Sequence, residues 1–166
     1  TKVHMEVRKH ANAEKDIILI GHEGHPEVEG TMGRHINSSN SSIYLVQDED
    51  DASSIEVNKE NQLAVVTQTT LSVDETKSII SILKKRFPEI LIPKKDDICY
   101  ATQNRQDAVK QLALESDFMI VVGSKNSSNS NRLKELGEKC GCKSVLIDEF
   151  NDLDINSLSN YSRISI

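Results

Sequence analysis

The chain has 166 residues and a mass of 18.5 kDa, enough for one sizeable domain or two small ones with hydrophobic cores. Its 26 acidic and 20 basic side chains give a formal net charge of −6, so non-specific binding to nucleic acid or to an anionic membrane has no electrostatic support. The longest unbroken apolar run, Phe118–Val122, is far shorter than the ~20 residues of a membrane-spanning helix. We therefore expect a soluble globular protein without nucleic-acid or membrane partners.

The cysteine count indicates the redox state of the cell compartment, and the first residue indicates whether the chain is a fragment. Three cysteines are an odd number, which argues against a disulfide framework and for a reducing compartment. The first residue is Thr1, and the residues that follow it read as the middle of a domain. We therefore expect the chain to be a fragment of a longer protein.

Short apolar runs alternate with longer amphipathic stretches along the chain, which is typical of parallel α/β folds. The predicted strands are residues 17–20, Ile43–Val46, residues 63–66, Phe118–Val122 and residues 144–147. Several of these runs are continuous rather than alternating, as expected for strands that are covered on both faces. The sequence therefore predicts an α/β fold of repeated small parallel-sheet units with helices on both faces.

Three helices are predicted from apolar stripes and from residues that begin or end helices. The stripes are Ile79, Ile80, Leu83 and Phe87 in the first helix, Ala108, Val109, Leu112 and Ala113 in the second, and Leu133 and Leu136 in the third. Ser72 and Glu75 form a capping-box pattern before the first stripe, and Pro88 follows it. The third helix is expected to end near Gly141.

Polar stretches between these elements predict loops and one linker. Residues 37–42 and 47–54 are predicted as surface loop or edge structure. Residues 93–97 are a candidate linker, so we expect one α/β unit over residues 1–95 and a second over residues 96–166.

Three times, a predicted strand runs into a compact polar loop that leads into a helix, at residues 21–27, 67–70 and 123–129. The carboxyl ends of parallel strands share one edge of a sheet, so these loops are expected to converge on one crevice. Free amides and the helix dipole at such loops favour a phosphate. The loops offer hydroxyls, amides and imidazole, with Lys125 and His25 as candidate charges, which suits a diphosphate. In any single loop the commoner role of such residues is capping and turn formation.

The segment after the first strand concentrates imidazoles and carboxylates. A zinc site using His22 and His25 is disfavoured, because Gly24 and Pro26 break any helix that would place both rings on one face, and a third ligand is not evident. Pro26 instead suits the first position of a helix, with His25 at the cap and Glu27 in the first turn. Glu27 is therefore a candidate proton donor beside an anion.

The cysteines allow two interpretations. Cys99 precedes a predicted helix that carries Arg105 and Gln106, where the helix dipole would stabilise a thiolate, so it is a candidate ligand or nucleophile. On spacing alone, a buried structural thiol is the commoner alternative. Cys140 and Cys142 could complete a three-cysteine metal set, but their place at a helix end favours surface or packing thiols.

Five segments carry the most specific pattern in the chain. They are TKVHMEV (residues 1–7), GHPEVEGTMG (24–33), TQTTLSV (67–73), DICYAT (97–102) and VVGSKNSSNS (121–130). Together, and in this order, they resemble the signatures of the LytB family, the 4-hydroxy-3-methylbut-2-enyl diphosphate reductases of the non-mevalonate isoprenoid pathway. Because the segments are spread from one end of the chain to the other, the resemblance covers nearly all of it.

This resemblance implies an oxidoreductase that reductively removes the hydroxyl of an allylic diphosphate and yields isopentenyl and dimethylallyl diphosphates. It implies a [4Fe-4S] iron–sulfur cluster on three cysteines, with Cys99 as one metal ligand, Glu27 as the catalytic proton donor, and a ferredoxin or flavodoxin as electron donor. The implied substrate-binding residues are His25, Thr69, Ser127, Ser128 and Asn129.

The resemblance also implies an arrangement of three similar α/β units around a central cavity, of which the chain would hold the second and a truncated third. The other two cluster cysteines would lie outside the chain, so the 166 residues alone are expected to be inactive. The expected location is a bacterial cytoplasm, or a plastid if the source is eukaryotic. Two alternatives stay open: a diphosphate-binding module without redox chemistry, and a zinc hydrolase that uses His22, His25 and Glu27.

Overall fold

The computed structural model describes residues 2–35, 40–58, 60, 62–93 and 98–166. The chain divides into two compact units, Thr1–Ile98 and Cys99–Ile166. Most of the predicted linker and part of the predicted loop at residues 37–42 lie outside the described residues. The boundary between residues 95 and 96, and the match of the two units to the second and third units of the family, stay predictions.

The first unit is built on a three-stranded parallel sheet of order β2-β1-β3. Its strands are β1 (Asp16–Ile20), β2 (Ile43–Val46) and β3 (Leu63–Thr67), as predicted to within one residue at each end. Every residue of β1 and β3 is buried, which explains their continuous apolar runs. The register places Ile20 opposite Thr67, so β1 and β3 end side by side.

Helices cover both faces of this sheet. They are α1 (Lys2–Asn12), α2 (Pro26–Gly33), α3 (Glu49–Ser54) and α4 (Val73–Arg86). On one face, Ile18 of β1 belongs to a buried cluster that includes Leu83 of α4. On the other face, Ile17 belongs to a cluster that includes Val7 of α1. The alternation of β1 side chains between two apolar clusters confirms the predicted two-sided coverage in this unit.

Helix α4 begins and ends where its sequence predicts. The Ser72 hydroxyl accepts a hydrogen bond from the Glu75 backbone N–H at 3.4 Å, and the helix ends at Arg86, two residues before Pro88. Ile79, Leu83 and Phe87 are buried, as the predicted stripe requires.

The prediction of loop or edge structure at residues 47–54 is wrong, because this stretch contains α3. Asp48 caps the helix by accepting the Asp51 backbone N–H at 2.8 Å, and three acidic residues occupy the first turn, where the helix dipole favours them. Ala52 is fully buried in the core, and it is the one residue of this helix that is buried. Helix α1 is also absent from the predicted elements, although Val3, Val7 and Ala11 are buried at helical spacing.

The second unit repeats the same plan with a parallel sheet of order β5-β4-β6. Its strands are β4 (Phe118–Val122), β5 (Lys143–Ile147) and β6 (Ile164–Ser165), and its helices are α5 (Tyr100–Glu115), α6 (Ser128–Lys139) and α7 (Ile155–Leu158), with a 3-10 turn at Phe150–Asp152. The predicted strands β4 and β5 are confirmed. Strand β6 is too short to give a pattern in the sequence.

The predicted apolar stripe of α5 is correct only in part. Val109 and Ala113 are buried, whereas Ala108 and Leu112 are exposed. The buried face continues toward the start of the helix through Thr102 and Gln106. Because these two residues are polar, apolar periodicity alone does not reveal the face.

Helix α6 lies against the sheet as predicted. Leu133 and Leu136 are buried, and the chain leaves the helix through Gly141, whose φ of +85° is accessible to glycine and unfavourable for other residues. Within the described part of the chain, no helix has the length and apolar character needed to cross a membrane.

We expect Gly137→Ala to destabilise the protein. A Cβ at Gly137 would overlap the Ser144 hydroxyl and lie 3.3 Å from Met119 Sδ, and such overpacking typically costs ~1–3 kcal/mol. Gly33→Ala is the matched control, since a Cβ at Gly33 meets nothing within 4 Å. Because alanine lowers the conformational entropy of the unfolded chain, this variant should be stabilised by at most ~0.4–1 kcal/mol. Chemical denaturation of the full-length protein measures both, and equal midpoints for the two variants would contradict the close approach of α6 to the sheet.

Candidate functional site

In the first unit, the candidate site begins at the carboxyl ends of β1 and β3. The two strands are neighbours. Just beyond their last paired residues, the Gln68 backbone N–H donates to the Ile20 carbonyl at 2.8 Å. The loop that leads to α2 and the loop that leads to α4 therefore start from adjacent points. Polar side chains of these loops can reach one another without crossing the sheet.

The loop after β1 places an imidazole at the start of α2. His25 is the N-cap residue, its Nδ1 accepts a hydrogen bond from the Glu27 backbone N–H at 3.2 Å, and Pro26 occupies the first helical position. The local structure predicted for these three residues is confirmed. Since Nδ1 acts as an acceptor, a neutral His25 ring carries its proton on Nε2. Gly24, at a φ of +75°, makes the turn before the cap.

Glu27 joins the two loops. Its Oε2 accepts hydrogen bonds from the Thr69 backbone N–H at 3.2 Å and from the Thr69 hydroxyl at 3.0 Å. Both residues are half-buried. The structure thus brings together Glu27 and Thr69, which are 42 residues apart in the chain, beside the His25 cap.

A third member of this arrangement, Gln68, is missing from the predicted site residues. It is fully buried, its Oε1 accepts from the His22 backbone N–H at 3.1 Å, and its Nε2 donates to the Thr70 hydroxyl at 3.0 Å. One signal in the sequence points to it: a glutamine placed directly after a buried apolar strand requires hydrogen-bond partners.

In the second unit, the loop between β4 and α6 presents small polar residues at a helix start. Ser127 is the N-cap of α6, and its hydroxyl accepts the Ser130 backbone N–H at 3.3 Å. The Asn131 side chain donates to the carbonyls of Lys125 and Ser127, at 2.8 and 2.9 Å, and so braces the loop. Ser128 is the first residue of the helix.

The Asn129 amide is unusual in this loop. Its Oδ1 is buried and has no hydrogen-bond partner among the described residues. A buried polar atom in that condition calls for a specific explanation, of which a ligand is one. Since α6 is a 12-residue helix, its N-terminus also favours an anion.

Lys125, a candidate charge for the anion, forms an ion pair in the structure. Its ammonium group lies 3.1 Å from an Asp152 carboxylate oxygen. The pKa of Asp152 is lowered by the Asp148 backbone N–H and by the Lys125 ammonium group. The loop therefore offers mainly neutral donors.

Cys99 is an exposed thiol at the N-cap of α5. Its Sγ accepts from the Thr102 backbone N–H at 3.3 Å and lies 2.9 Å from the Thr102 hydroxyl. The Thr102 hydroxyl lowers the pKa of the thiol, and backbone N–H groups and the Arg105 guanidinium add to the effect against a smaller opposing effect of burial. The alternative of a buried structural thiol is wrong for Cys99, and these contacts favour a reactive thiolate or ligand.

The other cysteines have different environments. Cys142 is buried in the apolar cluster of the second unit, and burial raises the pKa of its thiol. Cys140 is exposed at the end of α6. Among the residues that the structure describes, no three or more His, Cys, Asp or Glu side chains are grouped so as to hold a metal ion. The described residues therefore do not gather His22, His25 and Glu27 into a zinc site.

Comparison with known proteins identifies close relatives. Residues 1–166 match the LytB protein family. A Saccharophagus degradans protein is 58% identical over 166 residues, a Pseudomonas putida protein is also 58% identical, and an Alcanivorax borkumensis protein is 55% identical, each named 4-hydroxy-3-methylbut-2-enyl diphosphate reductase. The alignment covers 100% of this chain and 53% of each relative, so the chain spans about half the length of these curated relatives.

Solved structures agree with the fold. The E-1-hydroxy-2-methyl-but-2-enyl-4-diphosphate reductase from Plasmodium falciparum superposes with a TM-score of 0.90 at 37% identity, over 99% of this chain and 50% of that chain. A second structure, of (E)-4-hydroxy-3-methyl-but-2-enyl diphosphate reductase, superposes with a TM-score of 0.54 at 27% identity. The match covers 99% of this chain and 57% of the chain in that structure.

In the metal-free full-length protein, we expect an alkylating reagent to modify Cys99 and to spare Cys142. Cys99 is exposed and its pKa is lowered, so its rate of modification reaches a plateau at lower pH, whereas Cys142 is buried and its pKa is raised. Peptide mass spectrometry over a pH range of about 6 to 9, around the ordinary thiol pKa, measures both rates.

Thr102→Val, which removes the hydroxyl next to Cys99, should move the Cys99 midpoint to higher pH. The matched control is Thr76→Val, which removes a buried hydroxyl of α4 that donates to the Ser72 carbonyl at 2.7 Å and should leave that midpoint in place. An unchanged Cys99 midpoint in Thr102→Val would contradict the role of the hydroxyl.

Proposed function

The chain belongs to the LytB protein family, and from that premise we propose that it carries part of the active site of a 4-hydroxy-3-methylbut-2-enyl diphosphate reductase. In this reaction the allylic alcohol takes up two electrons and two protons, its C–O bond breaks, the oxygen leaves as water, and isopentenyl and dimethylallyl diphosphates form. The observation that carries the proposal is the Glu27 carboxyl, oriented by Thr69 beside the His25 cap.

Glu27 is suited to deliver the proton that the leaving oxygen needs. The Thr69 backbone N–H can only donate, so the Oε2 atom that it contacts remains an acceptor, and a proton carried by Glu27 belongs on Oε1. Thr69 thereby sets which oxygen acts as the acid. The short helix α2 holds Glu27 in its first turn, where the imidazole of His25 accepts the Glu27 backbone N–H.

The diphosphate is the part of the substrate that helix starts and small polar residues recognise. Ser127, Ser128 and Asn129 at the start of α6 offer hydroxyl, amide and backbone donors. His25 and Thr69 are the substrate-binding candidates of the first unit. All five residues are the ones that the family resemblance implies.

An iron–sulfur cluster fits the donor set at Cys99 in part. An exposed thiol at a helix start, with a backbone N–H and a hydroxyl directed at its sulfur, suits a cluster ligand. When bound, a [4Fe-4S] cluster would pass on, one at a time, the two electrons that the electron donor supplies, and would act as a Lewis acid. We expect its other cysteine ligands to lie outside these 166 residues, with a ferredoxin or flavodoxin as electron donor in a bacterial cytoplasm or a plastid.

The experiment that tests this function is anaerobic reconstitution of the full-length protein with iron and sulfide. We expect a brown chromophore and turnover of the allylic diphosphate, both lost in Cys99→Ser. Cys140→Ser is the matched control, because it changes another exposed thiol and should keep both. The 166-residue chain by itself should hold no stable cluster and show no turnover.

Two results of this experiment would contradict the proposal. A colourless full-length protein that binds diphosphates would favour the non-redox binding module, for which the three polar loops suffice. Turnover by the 166-residue chain alone would require a ligand role for Cys140 or Cys142.

We expect Glu27→Gln in the complete enzyme to lower turnover by about 10²–10⁴-fold, the usual contribution of general acid–base catalysis, while diphosphate affinity and iron content stay near normal. Glutamine keeps the shape and an oxygen for the two Thr69 donors but has no acidic proton. The effect on helix α2 is small by comparison, since a first-turn carboxylate contributes ~0.3–1 kcal/mol.

The control for this substitution is Glu29→Gln, which removes an exposed carboxylate from the same helical turn and should leave turnover near normal. Turnover, substrate affinity and iron content are measured on the same preparation. Near-normal turnover of Glu27→Gln would exclude Glu27 as an essential proton donor.

A further inference from the structure

Gln68 occupies a position that a polar side chain rarely takes. It follows the last residue of β3 and is fully buried, with a relative exposure of 0%. A buried primary amide is tolerated only when its donors and acceptor are satisfied by nearby groups. The partners of Gln68 therefore indicate what holds it there.

These partners lie in both loops of the candidate site in the first unit. Oε1 accepts from the His22 backbone N–H in the loop after β1, and Nε2 donates to the Thr70 hydroxyl in the loop after β3. The orientation of the amide follows from chemistry, because the His22 N–H can only donate and must face the oxygen. One side chain thus bridges the two loops.

The backbone of the first loop passes close to this amide. A Cβ at Gly21 would lie 3.2 Å from Gln68 Oε1 and 2.5 Å from Val28 Cγ2. Only a glycine lets the chain run between the amide and α2 without displacing one of them. The Gln68 bridge is therefore packed tightly, as well as hydrogen-bonded.

The Gln68 bridge lies beside the contact between Glu27 and Thr69. Thr69 is the residue between Gln68 and Thr70, and Glu27 stands on the helix that follows the loop of His22. The loops are therefore joined twice, once by a buried neutral amide and once by a half-buried carboxylate. The Gln68 bridge is enclosed by protein, whereas the Glu27 side chain stays partly exposed.

We propose that Gln68 is a positioning residue that fixes the loop of Thr69 relative to the loop of Glu27 and so sets the direction in which Glu27 delivers its proton. This inference rests on the proposed function and deepens it. Gln68 acts through Glu27 and Thr69 and needs no contact with substrate. A misplacement of about 1 Å at a reacting group is enough to lower a rate by about 10²-fold.

Gln68→Met in the reconstituted full-length enzyme tests the proposal. Methionine is of similar length and apolar, so it fills the site and removes both hydrogen bonds. We expect kcat to fall by about 10- to 100-fold, with KM for the allylic diphosphate changed by less than about threefold. The solvent deuterium isotope effect on kcat should increase, because a misdirected proton transfer becomes the slow step.

Gln68→Glu is the conservative variant. Its carboxylate still accepts from the His22 N–H but cannot donate to Thr70, whereas its protonated form can do both. We therefore expect its kcat to approach that of the parent as the pH falls. The other titratable groups at these loops are His22, Glu23, His25 and Glu27, so the parent and Gln68→Met are measured over the same pH range to account for them.

The control for the loss of a buried amide is Gln106→Met, which removes a glutamine with a relative exposure of 2% from α5. It should lower thermal stability without increasing the solvent isotope effect. The proposal would be overturned if Gln68→Met kept the kcat of the parent. It would also be overturned if the loss of folded protein fully explained the fall in kcat. Failure of both Gln68 variants to fold would overturn it as well, since Gln68 would then serve the core alone.

The same measurements separate this proposal from the proposed function. A reconstituted parent that does not turn over the allylic diphosphate would overturn both. A parent that turns over normally beside an unimpaired Gln68→Met would overturn only the positioning role.

Discussion

The register of β1 against β3 is the constraint on which the first unit's candidate site depends. Ile20 lies opposite Thr67, so both strands end at the same level and the loops leave the sheet side by side. A shift of one residue would turn Thr69 away from Glu27 and would move the apolar side chains of β1 to the wrong faces. Since β1 and β3 are buried on both faces, the two apolar clusters hold this register firmly. The core of the unit thus determines the geometry of its polar edge.

Three N-cap side chains in this chain stabilise a helix and are also candidate site residues. His25, Cys99 and Ser127 are all N-cap residues, and the side chain of each accepts a backbone N–H from its own helix. The same hydrogen bond that stabilises the helix also prepares the side chain: it leaves the proton of a neutral His25 on Nε2 and favours the thiolate of Cys99. Capping and chemistry are therefore compatible interpretations of these residues, although a sequence pattern presents them as alternatives.

Local patterns in the sequence predict local structure well in this protein. Continuous apolar runs identify the buried strands, and Pro26 and Ser72 mark two helix starts correctly. Helix α3 escapes prediction because it is short, acidic and anchored by Ala52 alone. The contact between Glu27 and Thr69 cannot be read from spacing, since it depends on strand register across 42 residues. Gln68 is missed for a related reason, because its importance comes from burial and partners rather than from its residue type.

The charges of the second unit bear on how the loop before α6 would bind the diphosphate of the proposed function. Lys125, the cation in the loop before α6, is paired with Asp152, and the net charge of the whole chain is −6. The net charge of these 166 residues therefore gives no long-range attraction for an anion. In the proposed function, recognition would depend on short-range donors at the start of α6, where hydroxyls, amides and backbone N–H groups act only on a ligand that reaches them.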